Sequence, residues 1–198
     1  MPTGVVMVDG GPMEPATVPR HDTPRVPPGG RGDVGAVNLV VATVVGRVAG
    51  TGPPNLFTTL GRHRRLFRRW LRFAGGLMPG GRLPRRDTEI VILRVALNCD
   101  CAYEWDHHVR LGRRAGLTGE DVERVRQGPD AAGWPRRQAA LLRAADELHE
   151  LRDVTDGTWA DLREHLDERG LVELCLLVGH YEMLAMTINS LGIQPDGH

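Results

Sequence analysis

An all-α fold is what this sequence predicts, on three observations. Apolar residues recur at helical spacing in segment after segment, no stretch of strand length alternates with period two, and clusters of Val, Ile and Thr are few. About seven helices fit the pattern. A chain of 198 residues with 41% apolar content suits one domain with a tail.

Residues 1–34 hold half of the 14 prolines and many glycines, with low hydrophobicity and no period. They are expected to form a flexible, irregular tail, and the domain proper is expected over 35–198. Ala36 to Val48 is apolar on most faces and predicts a buried helix. Gly50-Thr51-Gly52-Pro53-Pro54 breaks it, and Leu56 to Leu60 forms a short helical turn. Arg62 to Leu77 places Leu66, Phe67, Trp70, Leu71 and Phe73 at helical spacing, with six arginines on the remaining surface. Those arginines are expected to be solvated or to meet acids of another subunit.

After the loop Met78–Pro84, Asp87 or Thr88 is placed to cap a helix running to Asn98, with Arg85 and Arg86 ahead of it. Cys101 to Ala115 is the next helix, closed by Gly116. Thr118 caps a short helix to about Gln127. Arg136 to Leu151 is amphipathic, Thr155 or Asp156 caps Thr158 to Asp167, and Arg169-Gly170 turns into a last helix, Leu171 to Leu191. That helix is apolar on every side, which in a domain this small predicts burial against another copy of the chain.

The charge balance narrows the function. There are 25 basic and 25 acidic residues and the formal net charge is zero, so neither a nucleic acid nor a membrane surface is an expected partner. All the basic residues are arginine, which excludes Schiff-base and P-loop lysine chemistry. The three cysteines, Cys99, Cys101 and Cys175, contain no C-x-x-C, and an odd count fits a reducing cytoplasm. The run Ala36–Val48 is too short and too polar to span a bilayer.

The chemistry concentrates between Glu89 and His108. Cys101, Glu104 and His108 stand at i, i+3 and i+7, hence on one helical stripe, with Glu89 one helix earlier. An imidazole between two carboxyls can move protons near neutral pH, and Tyr103, His180 and Tyr181 could donate hydrogen bonds to a substrate oxygen. Arg94 could hold a substrate carboxylate or pair with Glu89 or Glu104. Other readings stay open. Glu89 and His108 could only lock two helices together, Cys101 could be a small buried hydrophobe, and His180 a satisfied core histidine. His107 is expected to face solvent. The four central residues could ligate a metal on paper, but their spacing matches no established zinc pattern, so neither metal nor cofactor is expected.

The spacing Glu89-x(11)-Cys101-x(2)-Glu104-x(3)-His108, followed by Ala115-Gly116-Leu117-Thr118, resembles the carboxymuconolactone decarboxylase and alkylhydroperoxidase-D superfamily. The likeness runs over most of residues 55–195, including Leu-Phe-Arg-Arg-Trp at 66–70 and Gly-His-Tyr-Glu-Met at 179–183. It implies an AhpD-like helical bundle assembled as a homo-trimer or homo-hexamer, with a pocket near subunit contacts. In the peroxidase branch a second cysteine stands where this chain has Glu104, and that cysteine attacks the peroxide. The Tyr103-Glu104-Trp105-Asp106-His107-His108 segment looks instead like the non-redox members. The expectation is therefore an enzyme using Glu89, Glu104, His108 and Cys101 for acid–base chemistry on a small carboxylated or unsaturated cyclic metabolite. Decarboxylation, isomerisation, elimination and cyclisation are all open to it. The alternatives are an AhpD-like peroxidase or disulfide reductase, and an inactive oligomeric binding protein.

Overall fold

The computed structural model describes residues 21–49 and 52–196. Among them there are helices and no strands, in the order α1 (Arg31–Val34), α2 (Ala36–Ala49), α3 (Asn55–Leu60), α4 (Arg64–Leu77), α5 (Arg85–Asn98), α6 (Ala102–Arg114), α7 (Gly119–Gln127), α8 (Arg136–Leu151), α9 (Asp156–Arg163) and α10 (Glu168–Leu191). Helices α3 and α9 fall where the Leu56–Leu60 turn and the Thr158–Asp167 helix are expected, whereas α1, a single turn, falls in the stretch expected to be tail.

Helix α5 is the axis of the bundle. Its Val91, Ile92 and Val95 join Leu141, Ala144, Leu174, Leu177 and Val178 of α8 and α10 in the larger apolar core. Its Ile90 and Leu93 join Leu117, Val125 and Leu142 in a second core on the other side. A helix with a core on two sides must be apolar nearly all round, and whatever polar group it carries is carried into the interior.

The helix begins earlier than the sequence suggested. Pro84 is the N-cap and Arg85 the first helical residue, a position that suits the fixed backbone around proline. Asp87 therefore does not cap. It is 3% exposed and accepts hydrogen bonds from Arg137 Nε at 2.6 Å and Gln138 Nε2 at 2.8 Å. Similarly, α10 starts at Glu168 with Asp167 as its cap, so Gly170 lies inside the helix rather than in a turn. The capping box at Thr118 and Asp121 forms as expected, and Gly116 ends α6 with φ +89°.

One expectation about burial needs correction. Helix α2 forms, but only its Asn38 and Ala42 stripe is buried, while Val37, Val40 and Val44 are 52–65% exposed. Among the described residues nothing covers the side that carries Val37 and Val40. Within the chain, helix α10 turns Val172, Leu176, Met183 and Met186 outward, on sides expected to meet another copy. It is long and apolar enough to cross a membrane, yet 56% of its most apolar window is buried inside the bundle, the pattern of a core helix. Part of the stretch expected to be tail packs on the helices. Residues 1–20 lie outside the described residues, whereas Arg25 N donates to Leu191 O (2.9 Å), Gly29 N to Thr58 O (3.1 Å), and Val34 is 1% exposed. Arg62 and Arg64 of the arginine-rich segment hold this stretch through Asp33 and the carbonyls of Pro27 and Gly32.

Removing the Asp87 carboxylate leaves a guanidinium over a buried site with no anion. Asp87→Ala is expected to lower unfolding free energy by about 2–4 kcal/mol, read from urea denaturation midpoints.

Candidate active site

The site is built by the reversal between α5 and α6. Asn98 ends α5, Cys99 caps it, and Asp100 takes the left-handed φ of +46°, a conformation Asp tolerates better than most residues. Cys101 N then closes onto Ala96 O at 2.8 Å. The two helices return along each other, so positions equidistant from the turn face one another. Glu89 and His108 are such a pair. Gly112 keeps the approach close, since a Cβ there would sit 2.6 Å from Leu117 Cδ1 and 3.7 Å from Glu89 Cβ.

Glu89 is fully buried, with Oε2 2.7 Å from His108 Nδ1 and Oε1 2.7 Å from Arg85 Nη2. A carboxyl inside a two-sided core would be costly alone, and these partners are what make it tolerable. With Nδ1 committed to Glu89, Nε2 is the ring atom His108 has left for a substrate. Tyr181 meets the imidazole edge-on at 5.1 Å.

Glu104 stands one helical turn before His108 and solves burial differently. It is 2% exposed, and its carboxyl has no partner beyond the weakly donating Cys101 thiol. Burial pushes its pKa up to about 8, so at neutral pH it is mostly a neutral acid. Cys101 caps α6 beside it, and burial, reinforced by the Glu104 charge, raises that thiol well above its ordinary value.

Glu104, His108 and Arg85 border a cavity of about 550 Å³, with Tyr103, His107, His180 and Tyr181. The rest of the wall is apolar and comes from α2, α3, α4, α6 and α10, with Val44, Phe57, Trp70, Leu111 and Leu184 prominent in it. His180 stacks on Trp70 at 6.1 Å, its Nδ1 has no partner, and burial lowers its pKa to about 4. His107 also lies in this wall rather than facing solvent. It stacks parallel to Tyr103, and burial, with His108 and Arg110 nearby, lowers it to about 4. Tyr181 Oη donates to Met78 Sδ at 3.6 Å. Tyr103 Oη donates to Asp196 Oδ2 at 3.0 Å, so its ring is on the wall while its hydroxyl is already engaged.

The structure thus gathers Glu104, His108, Tyr103, His180 and Tyr181 on one cavity, with Glu89 behind His108. Cys101 is 1% exposed and does not border the cavity. Arg94 is elsewhere. Its guanidinium clasps Asp146 Oδ2 at 2.9 Å and Val125 O at 2.9 Å, so it pairs with neither Glu89 nor Glu104 and is not on the cavity wall. Sequence reading missed Arg85, although its place four residues before Glu89 is the spacing of an intrahelical ion pair. Cys99 is also outside the site. Its Sγ is 3.9 Å from His149 Nδ1, which is 2.7 Å from Glu182 Oε1. These three atoms could converge on a metal, but Arg152 at 3.3 Å from Glu182 Oε2 already supplies a positive charge there. Burial, then Glu182, pushes the Cys99 thiol up to about 12.

The sequence model of the carboxymuconolactone decarboxylase family matches residues 64–147, which contain both α5 and α6. Solved structures share the fold. The AhpD core of an uncharacterized peroxidase-related protein from Ralstonia eutropha JMP134 superposes with a TM-score of 0.74 at 20% identity, over 86% of this chain and 93% of that one. A peroxidase-related protein from Silicibacter sp. TM1040 gives 0.74 at 16% identity, over 94% and 96%. The debrominase Bmp8 in complex with 2,3,4-tribromopyrrole gives 0.75 at 14% identity, over 87% and 91%. No curated protein matches in sequence. Residues 64–147 thus match the carboxymuconolactone decarboxylase family model, and the chain shares its fold with these solved structures.

The Glu104 environment has a consequence for stability. Burial raises its pKa to about 8 from an ordinary 4.5, so the folded state holds the proton more tightly. The associated stabilisation is full below pH 4.5 and is lost as pH rises to about 8. Glu104→Gln is expected to flatten that loss, seen as a smaller drop in melting temperature across the same window; an unchanged drop would assign it to other groups.

Proposed function

We propose that the chain is a cofactor-free acid–base enzyme acting on a small unsaturated cyclic metabolite. The observation that supports this most is a pair of unlike carboxyls about His108, one on the cavity wall and one behind the ring. Glu104 is buried without a cationic partner and protonated at neutral pH, while Glu89 is held by Arg85 and His108. Groups whose surroundings push their proton affinities apart are what acid–base catalysis requires.

In this reading His108 Nε2 takes a proton from a substrate carbon. Glu89 orients the ring through Nδ1 and stabilises the imidazolium that forms. Glu104 gives its proton to the substrate oxygen on which the electron pair comes to rest, so an enol forms without a free oxyanion. Return of the His108 proton to a different carbon, as the enol hydrogen goes back to Glu104, isomerises the substrate; in an elimination the enol hydrogen again returns to Glu104 and the His108 proton leaves with the departing group. Tyr181 and His180 shape the wall around the reacting ring. That a protein of the same fold holds a tribromopyrrole accords with a flat ring in this place.

The alternative is peroxide or disulfide chemistry of the AhpD kind, favoured by the peroxidase-related fold neighbours. It needs two sulfurs that can reach one another. Cys99 lies toward His149, Cys101 is buried beside Glu104, and burial raises both thiols, which disfavours a thiolate nucleophile.

The test is solvent exchange. Cyclic enones are incubated with the protein in deuterium oxide, and label incorporation is read by mass spectrometry. His108→Ala is expected to slow exchange by roughly 100-fold or more with the helical circular dichroism retained. Cys101→Ser is expected to keep most of the rate. Consumption of hydroperoxide coupled to an external dithiol, lost in Cys101→Ser, would establish the alternative instead.

A homo-oligomer belongs to the same proposal. Val172, Leu176, Met183 and Met186 lie on one stripe of α10, spaced four, seven and three residues apart, and are 45–60% exposed. A self-complementary apolar seam of this kind suits a second copy of the chain. Light scattering should give a multiple of 21.8 kDa, and Leu176→Glu with Met183→Glu should reduce it to the monomer.

A further inference from the structure

The charges around the cavity say more about its ligand than the motif does. The groups on its wall that can ionise are Arg85, Tyr103, Glu104, His107, His108, His180 and Tyr181. Among the described residues Arg85 is the one permanent cation on the wall, and its guanidinium is on Glu89 Oε1 at 2.7 Å. Arg94, which might have received an anion, is bound to Asp146 on another side of α5. His107 and His180 are held neutral by burial, and both tyrosines are pushed further toward the neutral form. An anionic ligand would therefore meet no uncommitted cation. It would also lie beside Glu104, which can offer it one hydrogen bond from its carboxyl proton but no compensating charge. A cation would have to ionise Glu104 against the same burial. Most of the remaining wall is aliphatic or aromatic, and the space of about 550 Å³ accommodates a fused ring system.

We infer that the cavity takes an uncharged, largely apolar ring compound bearing one carbonyl-type oxygen, and discriminates against carboxylates. The oxygen accepts the Glu104 proton as a hydrogen bond, and the ring fills the space between Trp70, Phe57 and Leu184. This rests on the acid–base reading of Glu104 and narrows it. Decarboxylation starts from a carboxylate, so isomerisation, elimination and cyclisation are the reactions that such a ligand leaves.

The experiment is binding without chemistry, so that it stands or falls separately from turnover. Isothermal titration calorimetry at neutral pH compares three ring-matched probes: 1-acetonaphthone, 1-naphthoate and 1-naphthylmethylammonium. The ketone is expected to bind, and the two ions to bind at least ~100-fold more weakly, the penalty for burying an unpaired charge. Gly75 borders the cavity, and a Cβ there meets nothing within 4 Å. Gly75→Phe should therefore fill the space and abolish ketone binding in a protein that still shows native circular dichroism. Naphthoate or the ammonium binding as tightly as the ketone would overturn the inference. So would ketone binding that survives in the folded Gly75→Phe protein, or no binding of the ketone at all. Ketone binding with no solvent exchange on any substrate would instead leave this inference standing and remove the enzymatic reading.

Discussion

A carboxyl group with no solvent exposure, held between a guanidinium and an imidazole, fixes the geometry of this molecule. Glu89 is carried inside because α5 has an apolar core on both sides. It is tolerable there only if α6 returns at the register that brings His108 to Oε2 and if α5 starts early enough to bring Arg85 to Oε1. A slip of one residue in the 98–100 reversal would turn the imidazole about 100° away and leave the charge uncompensated. The polar cluster therefore specifies how two helices meet, whatever else it does.

The second carboxyl depends on the first. Because Arg85 and His108 are both taken by Glu89, nothing cationic remains for Glu104, and its burial is met by a proton rather than by a cation. Two chemically similar side chains on facing helices thus end in different states through a contest for the same partners. The cavity inherits that division. One wall offers a proton donor, a nearby imidazole offers an acceptor, and the apolar remainder keeps water from levelling the difference.

How much of this the sequence disclosed follows from how each feature is encoded. The hairpin of α5 and α6 was legible because the apolar run, the polar break at Asn98 to Asp100 and the i, i+3, i+7 stripe are all local. The shared placement of Glu104 and His108 followed from helical periodicity alone. Arg94 was misjudged because its partner, Asp146, is 52 residues away, and no local pattern distinguishes an arginine that finds such an acid from one that faces a ligand. Arg85 was missed through a one-turn error in where α5 begins, since Pro84 was read as the end of a loop rather than as a cap. The exposed side of α2 could not be foreseen. Apolar content says that a face must be covered, but not whether this chain or another copy covers it.

Position 104 is where the peroxidase branch is expected to carry a cysteine, and the surroundings of Glu104 bear on what can work there. No cation faces it, and burial raises the proton affinity of Glu104 and of the neighbouring Cys101 alike. A thiol in that place would be held as S–H, which is a poor nucleophile, because thiol attack depends on the thiolate. A carboxyl in the same place becomes a neutral acid at neutral pH, which is a competent proton donor. The same physical burden that would silence a sulfur thus makes a carboxyl useful. A carboxyl and this apolar, cation-poor setting suit one another, as the proposed proton transfer requires.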